Sequence, residues 1–124
     1  MEKKRVLVVD DDPMVLEMVK DYLGEMDLDV HTYDRALGTS NEVMRVKADL
    51  LILDVDMPAL KGDKICEIIR KEGYFPDLKI LLYSVMDEKE LANMAEEQGA
   101  DDCLSKSADL TVLGLKVKKL LAGL

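Results

Sequence analysis

A chain of 124 residues has the ordinary length of one domain and can bury most of its apolar surface without a metal or disulfide to hold it. Its formal charge of −9 opposes direct binding to a nucleic acid backbone, which needs clustered Lys and Arg, so any DNA-linked role would run through a partner. The chain has no 18-residue apolar run, and the charged opening MEKKR leads into a short strand rather than a secretion signal; a soluble, cytoplasmic protein with no membrane contact is expected.

Residues 5–9, RVLVV, are a run of strand length that ends on Asp10, Asp11 and Asp12. Asp12 before Pro13 opens a helix, with a carboxylate at the N-cap and Pro at the first helical position. Met14, Val15, Met18, Val19, Tyr22, Leu23 and Met26 recur at helical spacing as one broad apolar face, and the helix is expected to end near Asp27. Residues 29–33, DVHTY, read as a second strand. The only histidine, His31, has no carboxylate or second His nearby in sequence and reads as a half-exposed strand residue rather than a ligand. After the turn-rich DRALGTSN, Ser40 is the expected cap of a short helix running to about Lys47.

The stretch ADLLILDVDMPALKG, residues 48–62, organises the rest. The apolar run from Leu50 reads as a parallel strand over 49–54, buried on both faces, that delivers Asp54 at its end. Pro58 stops the strand from continuing, and Gly62 gives the backbone freedom to turn. Ile65, Cys66, Ile68 and Ile69 mark a third helix that stops at Gly73. Residues 78–83, LKILLY, form a fourth strand and deliver Ser84. Asp87 caps a helix with Leu91, Met94 and Ala95 inward and Gly99 as its stop. Residues 101–105 are a short fifth strand ending at Lys106. A last helix from about Asp109 carries Leu110, Leu113, Val117, Leu120 and Leu121 on one stripe, with Val112 and Leu115 off it. Cys66 and Cys103 lack zinc spacing and read as buried reduced thiols.

Strand and helix alternate five times with short connections, so the fold class is α/β with a parallel sheet and right-handed crossovers. Parallel strands put their carboxyl ends on one edge, where ligands bind, and so gather Asp10, Asp11, Asp54, Ser84 and Lys106 there. Three carboxylates that close repel unless a cation joins them, and an all-oxygen set suits Mg²⁺. With that ion and Lys106 neutralising phosphoryl oxygens, Asp54 is equipped to attack phosphorus. Ser84 is then a donor to a phosphoryl oxygen, a contact made only after phosphorylation.

VVDDDP, then LILDVDMPALKG, LLYS and GADDCLSK, in this order and at these intervals, resemble the receiver domain of two-component response regulators over essentially the whole chain. The resemblance implies a doubly wound, flavodoxin-like (βα)5 fold with strand order 2-1-3-4-5. A single receiver domain over residues 1–124 without an output domain is expected, either a separate receiver or an excised fragment of a longer regulator. Asp54 would accept phosphate from a histidine kinase or phosphotransfer protein. Asp11 and the main-chain carbonyl of Asp56 would bind Mg²⁺ with Asp54, Asp10 helping through water; Ser84 would be the switch hydroxyl and Lys106 the phosphate-facing lysine. Such a chain assists only its own phosphorylation and dephosphorylation and is not an enzyme.

Two positions depart from the pattern. Cys103 stands where the family usually has Tyr or Phe, and a thiol is too small to report the same inward rotation. Ser107 follows Lys106 where Pro is usual, often after a cis bond; a cis bond before a non-proline residue costs roughly 2.5–4 kcal/mol. The resemblance also implies that Asp56 and Met86 occupy positions that in this family tune the lifetime of the phosphoryl group. The resemblance places the partner surface on the fourth helix, fifth strand and fifth helix, where Val112 and Leu115 serve an effector or a second copy of the chain. Two rivals remain. LDVD also resembles the nucleophile motif of haloacid dehalogenase phosphatases, but there the nucleophile strand comes first, whereas here Asp10 and Asp11 precede Asp54. The other is a phosphorylation-independent interaction module, which Cys103 and Ser107 favour and the intact acid set opposes.

Overall fold

The computed structural model describes residues 2–123. Five strands alternate with five helices: β1 (Arg5–Val9), α1 (Pro13–Gly24), β2 (Asp29–Tyr33), α2 (Thr39–Val46), β3 (Leu50–Asp54), α3 (Gly62–Glu72), β4 (Lys79–Ser84), α4 (Glu88–Gln98), β5 (Asp102–Ser105) and α5 (Leu110–Ala122). All strand pairs are parallel and the order is β2-β1-β3-β4-β5, the doubly wound arrangement expected. Strands begin and end within one residue of their expected bounds.

Successive side chains on a strand point to opposite faces, and the core divides accordingly. Leu7, Val9, Leu51, Leu53, Ile80 and Leu82 face α2, α3 and α4, meeting Val43, Ile65, Ile69 and Leu91. Val6, Val8, Leu50, Ile52, Leu81 and Tyr83 face α1 and α5, meeting Val19, Leu23, Leu113 and Val117. Every residue of β3 is buried, because helices cover both its faces. No helix among the described residues is long and apolar enough to cross a membrane.

The apolar face expected for α1 is corrected. Met14 and Met18 are exposed, and the buried line is Leu16, Val19 and Leu23. At roughly 100° per residue, Leu16 and Leu23 lie across the helix from Met14, so the apolar surface of α1 is wider than the sheet covers. The Asp12 carboxylate accepts the Met14 amide as an N-cap, and the helix ends at Gly24 instead of near Asp27. Helix α2 starts two residues earlier than expected, with Gly38 at the N-cap in place of Ser40. Its Thr39 hydroxyl donates to the Ala36 carbonyl from a buried position. Ile68 is on the outer side of α3, and Cys103 is half-buried while Cys66 is fully buried. His31 is half-exposed as expected, but it does have a carboxylate partner: Asp29, two residues earlier on the same strand face, lies 3.2 Å from its Nε2. The Lys106–Ser107 bond is trans.

Candidate functional site

The register of the central strands brings the polar groups together. Val9 pairs with Leu53, so the next residues, Asp10 and Asp54, emerge side by side at the carboxyl edge of the sheet. Asp54 aligns with Tyr83 and Ser84 with Ser105, which adds Ser84 and Lys106 to the same edge. The Lys106 amide donates to the Ser84 carbonyl at 2.7 Å and fixes where that side chain starts.

Asp10, Asp11 and Asp54 each offer a carboxylate oxygen, and these atoms lie within 4.8 Å of one another; Asp10 and Asp54 are buried and Asp11 is exposed. One ammonium serves the two buried acids, with Lys106 Nζ 2.7 Å from Asp10 Oδ2 and 3.2 Å from Asp54 Oδ1. Asp10 Oδ1 accepts the Asp12 amide. Asp10 Oδ2, in contrast, is in ionic contact with Lys106 but off the line of a directed hydrogen bond, and has no other polar partner among the described residues. A buried carboxylate oxygen with a spare lone pair beside two further carboxylates is a donor set for a hard cation.

The charges are not balanced. Burial, then repulsion from Asp10, push the Asp54 carboxyl up to about 6, with Lys106 and the Asp56 amide offsetting part of the rise. Burial on its own would lower the Lys106 ammonium, but the two carboxylates outweigh it and hold the pKa above the usual lysine value. Lys106 therefore stays charged at neutral pH.

Asp56 joins the cluster through its amide, which donates to Asp54 Oδ1 at 3.3 Å. Its carboxylate is engaged by Lys61 at 3.3 Å and by the Ser84 hydroxyl at 3.5 Å. Ser84 is completely buried and accepts the Met86 amide. Past Lys106, the Ser107 amide donates to the Ser105 hydroxyl and the two hydroxyls lie 2.8 Å apart, which ties down the loop in its trans form. Cys103, like Met86 and Met94, is partly buried against the core that α4 covers. Val112 and Leu115 are exposed on α5.

Gly62 has a different job from the turn expected of it. Its φ is not in the left-handed region. Instead it begins α3 against the backbone of Asp54, where an added Cβ would collide with the Asp54 carbonyl, and its amide donates to the Val55 carbonyl. Close approach of a helix start to a strand end leaves no mark in sequence beyond the glycine itself.

A family model described as response regulator receiver domain matches residues 6–118. Response regulator MprA of Mycobacterium leprae is 33% identical over 117 residues, which is 94% of this chain and 50% of MprA. Among solved structures, response regulator protein TrrA of Thermotoga maritima in complex with Mg(2+)-BeF is 32% identical with a TM-score of 0.83, over 94% of this chain and 98% of that one. The BeF3-activated N-terminal receiver domain of Klebsiella pneumoniae RstA is 28% identical with a TM-score of 0.87, over 95% and 98%. The chain spans about half the length, or less, of the curated relatives it matches.

Proposed function

The chain belongs to the response regulator receiver domain family of two-component signalling, and from that premise we propose that Asp54 is the residue that accepts the phosphoryl group. Receiver domains act in phosphorelays and assist only their own phosphorylation and dephosphorylation, so this is a signalling domain and not a turnover enzyme. The observation that carries the assignment is the meeting of Asp10, Asp11 and Asp54 around the Lys106 ammonium. A haloacid dehalogenase reading has no support from the family match.

The donor is a phosphohistidine on a histidine kinase or phosphotransfer protein. An Asp54 carboxylate oxygen attacks phosphorus, the P–N bond breaks, and its electron pair returns to the imidazole nitrogen, which takes up a proton. Lys106 stabilises charge on the phosphoryl oxygens, and its high pKa keeps it cationic for that task. Mg²⁺ is the cofactor whose chemistry the donor set suits: when bound, it offsets the carboxylates and the phosphoryl oxygens together. Asp54, Asp11 and the Asp56 main-chain carbonyl would hold the ion, with Asp10 assisting beside them. Ser84 turns its hydroxyl to a phosphoryl oxygen once Asp54 is modified.

The signal leaves through α4, β5 and α5, where Val112 and Leu115 are exposed and suit an effector or a second copy of the chain. With Cys103 rather than a ring on β5, the readout does not use an aromatic rotation at that position. We take the domain to work on the cytoplasmic side, without direct nucleic acid contact of its own.

Incubation with acetyl phosphate and Mg²⁺, followed by intact mass measurement, tests the assignment. Parent protein is expected to gain one phosphoryl group and Asp54→Ala none. Equal gain in both would move the acceptor elsewhere.

A further inference from the structure

Ser84 Oγ accepts the Met86 amide at 3.1 Å, so its own proton must go to another group. That group is Asp56 Oδ2 at 3.5 Å, a long and therefore weak contact for a hydroxyl donor. The other oxygen of the same carboxylate is held by Lys61 Nζ at 3.3 Å. Asp56 and Lys61 are both exposed at the rim of the site, whereas Ser84 is sealed beneath them. A charged pair on the β3–α3 loop thus reaches inward to a buried hydroxyl on β4.

We propose that the Asp56 carboxylate, pinned by Lys61, is a latch that holds the Ser84 hydroxyl in its resting position, so that Asp56 is a positioning residue for the phosphorylation switch. The proposal rests on the reading of Asp54 as phosphoacceptor. A buried hydroxyl takes whichever acceptor is best placed, and a phosphoryl oxygen on Asp54 competes with Asp56 for one proton. Phosphorylation biases the switch only by the difference between these two acceptors. A long contact suits this task, since it orders Ser84 at rest yet yields to a closer, more highly charged oxygen. Lys61 adds a restraint from outside: it keeps the carboxylate from swinging into water, where it would release the hydroxyl.

The charge of Asp56 also repels an anion at Asp54 without any help from Ser84, so a single substitution does not isolate the latch. A double-mutant cycle does. Beryllofluoride with Mg²⁺, which mimics the phosphoryl group, is titrated into the parent, Asp56→Ala, Ser84→Ala and the double variant, with half-saturation read from the amides of Asp54 and Lys106. Substitution at Asp56 keeps its main-chain carbonyl. Asp56→Ala is expected to lower the half-saturating concentration roughly two- to tenfold when Ser84 is present, and less than twofold in the Ser84→Ala background. Equal shifts in both backgrounds would mean that Asp56 acts by charge alone, and would overturn the latch. Hydrogen exchange of the Met86 amide, measured without any mimic, gives a second readout. It is expected to quicken in Asp56→Ala and to return towards the parent rate in Asp56→Asn, which keeps an acceptor oxygen; no change in either also overturns the latch. A parent that fails to bind beryllofluoride would refute the phosphoacceptor reading, and Met86 exchange then decides the latch by itself.

Discussion

Two charged groupings occupy opposite edges of one sheet and are built on opposite principles. At the amino edge, Asp101 Oδ2 accepts the Ile80 amide at 2.8 Å and Arg70 Nη2 at 2.7 Å. The remaining Arg70 nitrogens donate to the carbonyls of Gly99 and Leu78, both at 2.8 Å. One acid and one guanidinium thereby join α3 to the ends of α4 and the starts of β4 and β5, and each charge meets its opposite. At the carboxyl edge, Asp10 and Asp54 share the single Lys106 ammonium with exposed Asp11 alongside, and beyond that ionic contact Asp10 Oδ2 has no polar partner among the described residues. The self-satisfied cluster can only hold the fold together. The other keeps surplus negative charge that one ammonium does not balance, and the fold carries its cost.

That cost sets the largest expected effect. The Asp54 carboxyl titrates near 6 when folded, against 3.8 for the free side chain, so the folded state favours the protonated form. Its stabilising share is complete below 3.8 and lost as pH rises through about 6. At pH 7.5 without Mg²⁺, the ionised group should cost the fold up to about 3 kcal/mol. Asp54→Asn is therefore expected to raise urea stability by that order at pH 7.5 and by little at pH 4. Mg²⁺ should stabilise the parent and leave the variant nearly unchanged. A variant no more stable than the parent at pH 7.5 would mean that the carboxyl edge is already balanced.

The opposite sign is expected at the amino edge. Arg70→Ala removes an ion pair and two bonds to carbonyls, and should cost about 2 kcal/mol at any pH between 5 and 9. Phosphoryl uptake from acetyl phosphate by the folded fraction should stay at the parent level. Loss of uptake in fully folded Arg70→Ala would show that the two edges are coupled through β4.

The carboxyl edge was legible in sequence and the amino edge was not, for a physical reason. A parallel sheet sends every strand end to one rim, so the acids that close VLVV and LLIL, the serine after LLY and the lysine after β5 could be gathered without knowing a single distance. Arg70 and Asp101 are 31 residues apart, and neither ends an apolar run, so only the packing of α3 against the α4–β5 turn reveals their pairing. The rotation of α1 was hidden in the same way. Periodicity marks an apolar arc from Met14 round to Leu23, but the sheet decides which part is covered, and it left Met14 and Met18 outside. The Asp56 carboxylate belongs with these, since nothing in DVDMP tells whether that acid faces the ion, water or Ser84.

The smallest expected effect concerns where strain is lodged. Ala59 has φ of 73°, and the Leu60 amide donates across it to the Pro58 carbonyl at 2.9 Å. That is a γ-turn of the rare form with positive φ, strained for any residue with a Cβ. It lies in the loop that carries Asp56 and Lys61 over the site. Lys47 also has positive φ, at 60°, but it closes α2 with its amide bonded back to Met44 and Val43, a common way for a helix to end. Glycine at either position removes the Cβ penalty and adds freedom to the unfolded chain, so the two effects partly cancel. The γ-turn carries the larger penalty, so Ala59→Gly should raise stability by about 1 kcal/mol and Lys47→Gly by no more than about half of that. Urea midpoints on both variants against the parent measure the difference. Equal gains would place the strain in positive φ as such, wherever it occurs. A larger gain at Ala59 would mean that the carboxyl edge bears backbone strain in addition to surplus charge, which the self-satisfied amino edge does not.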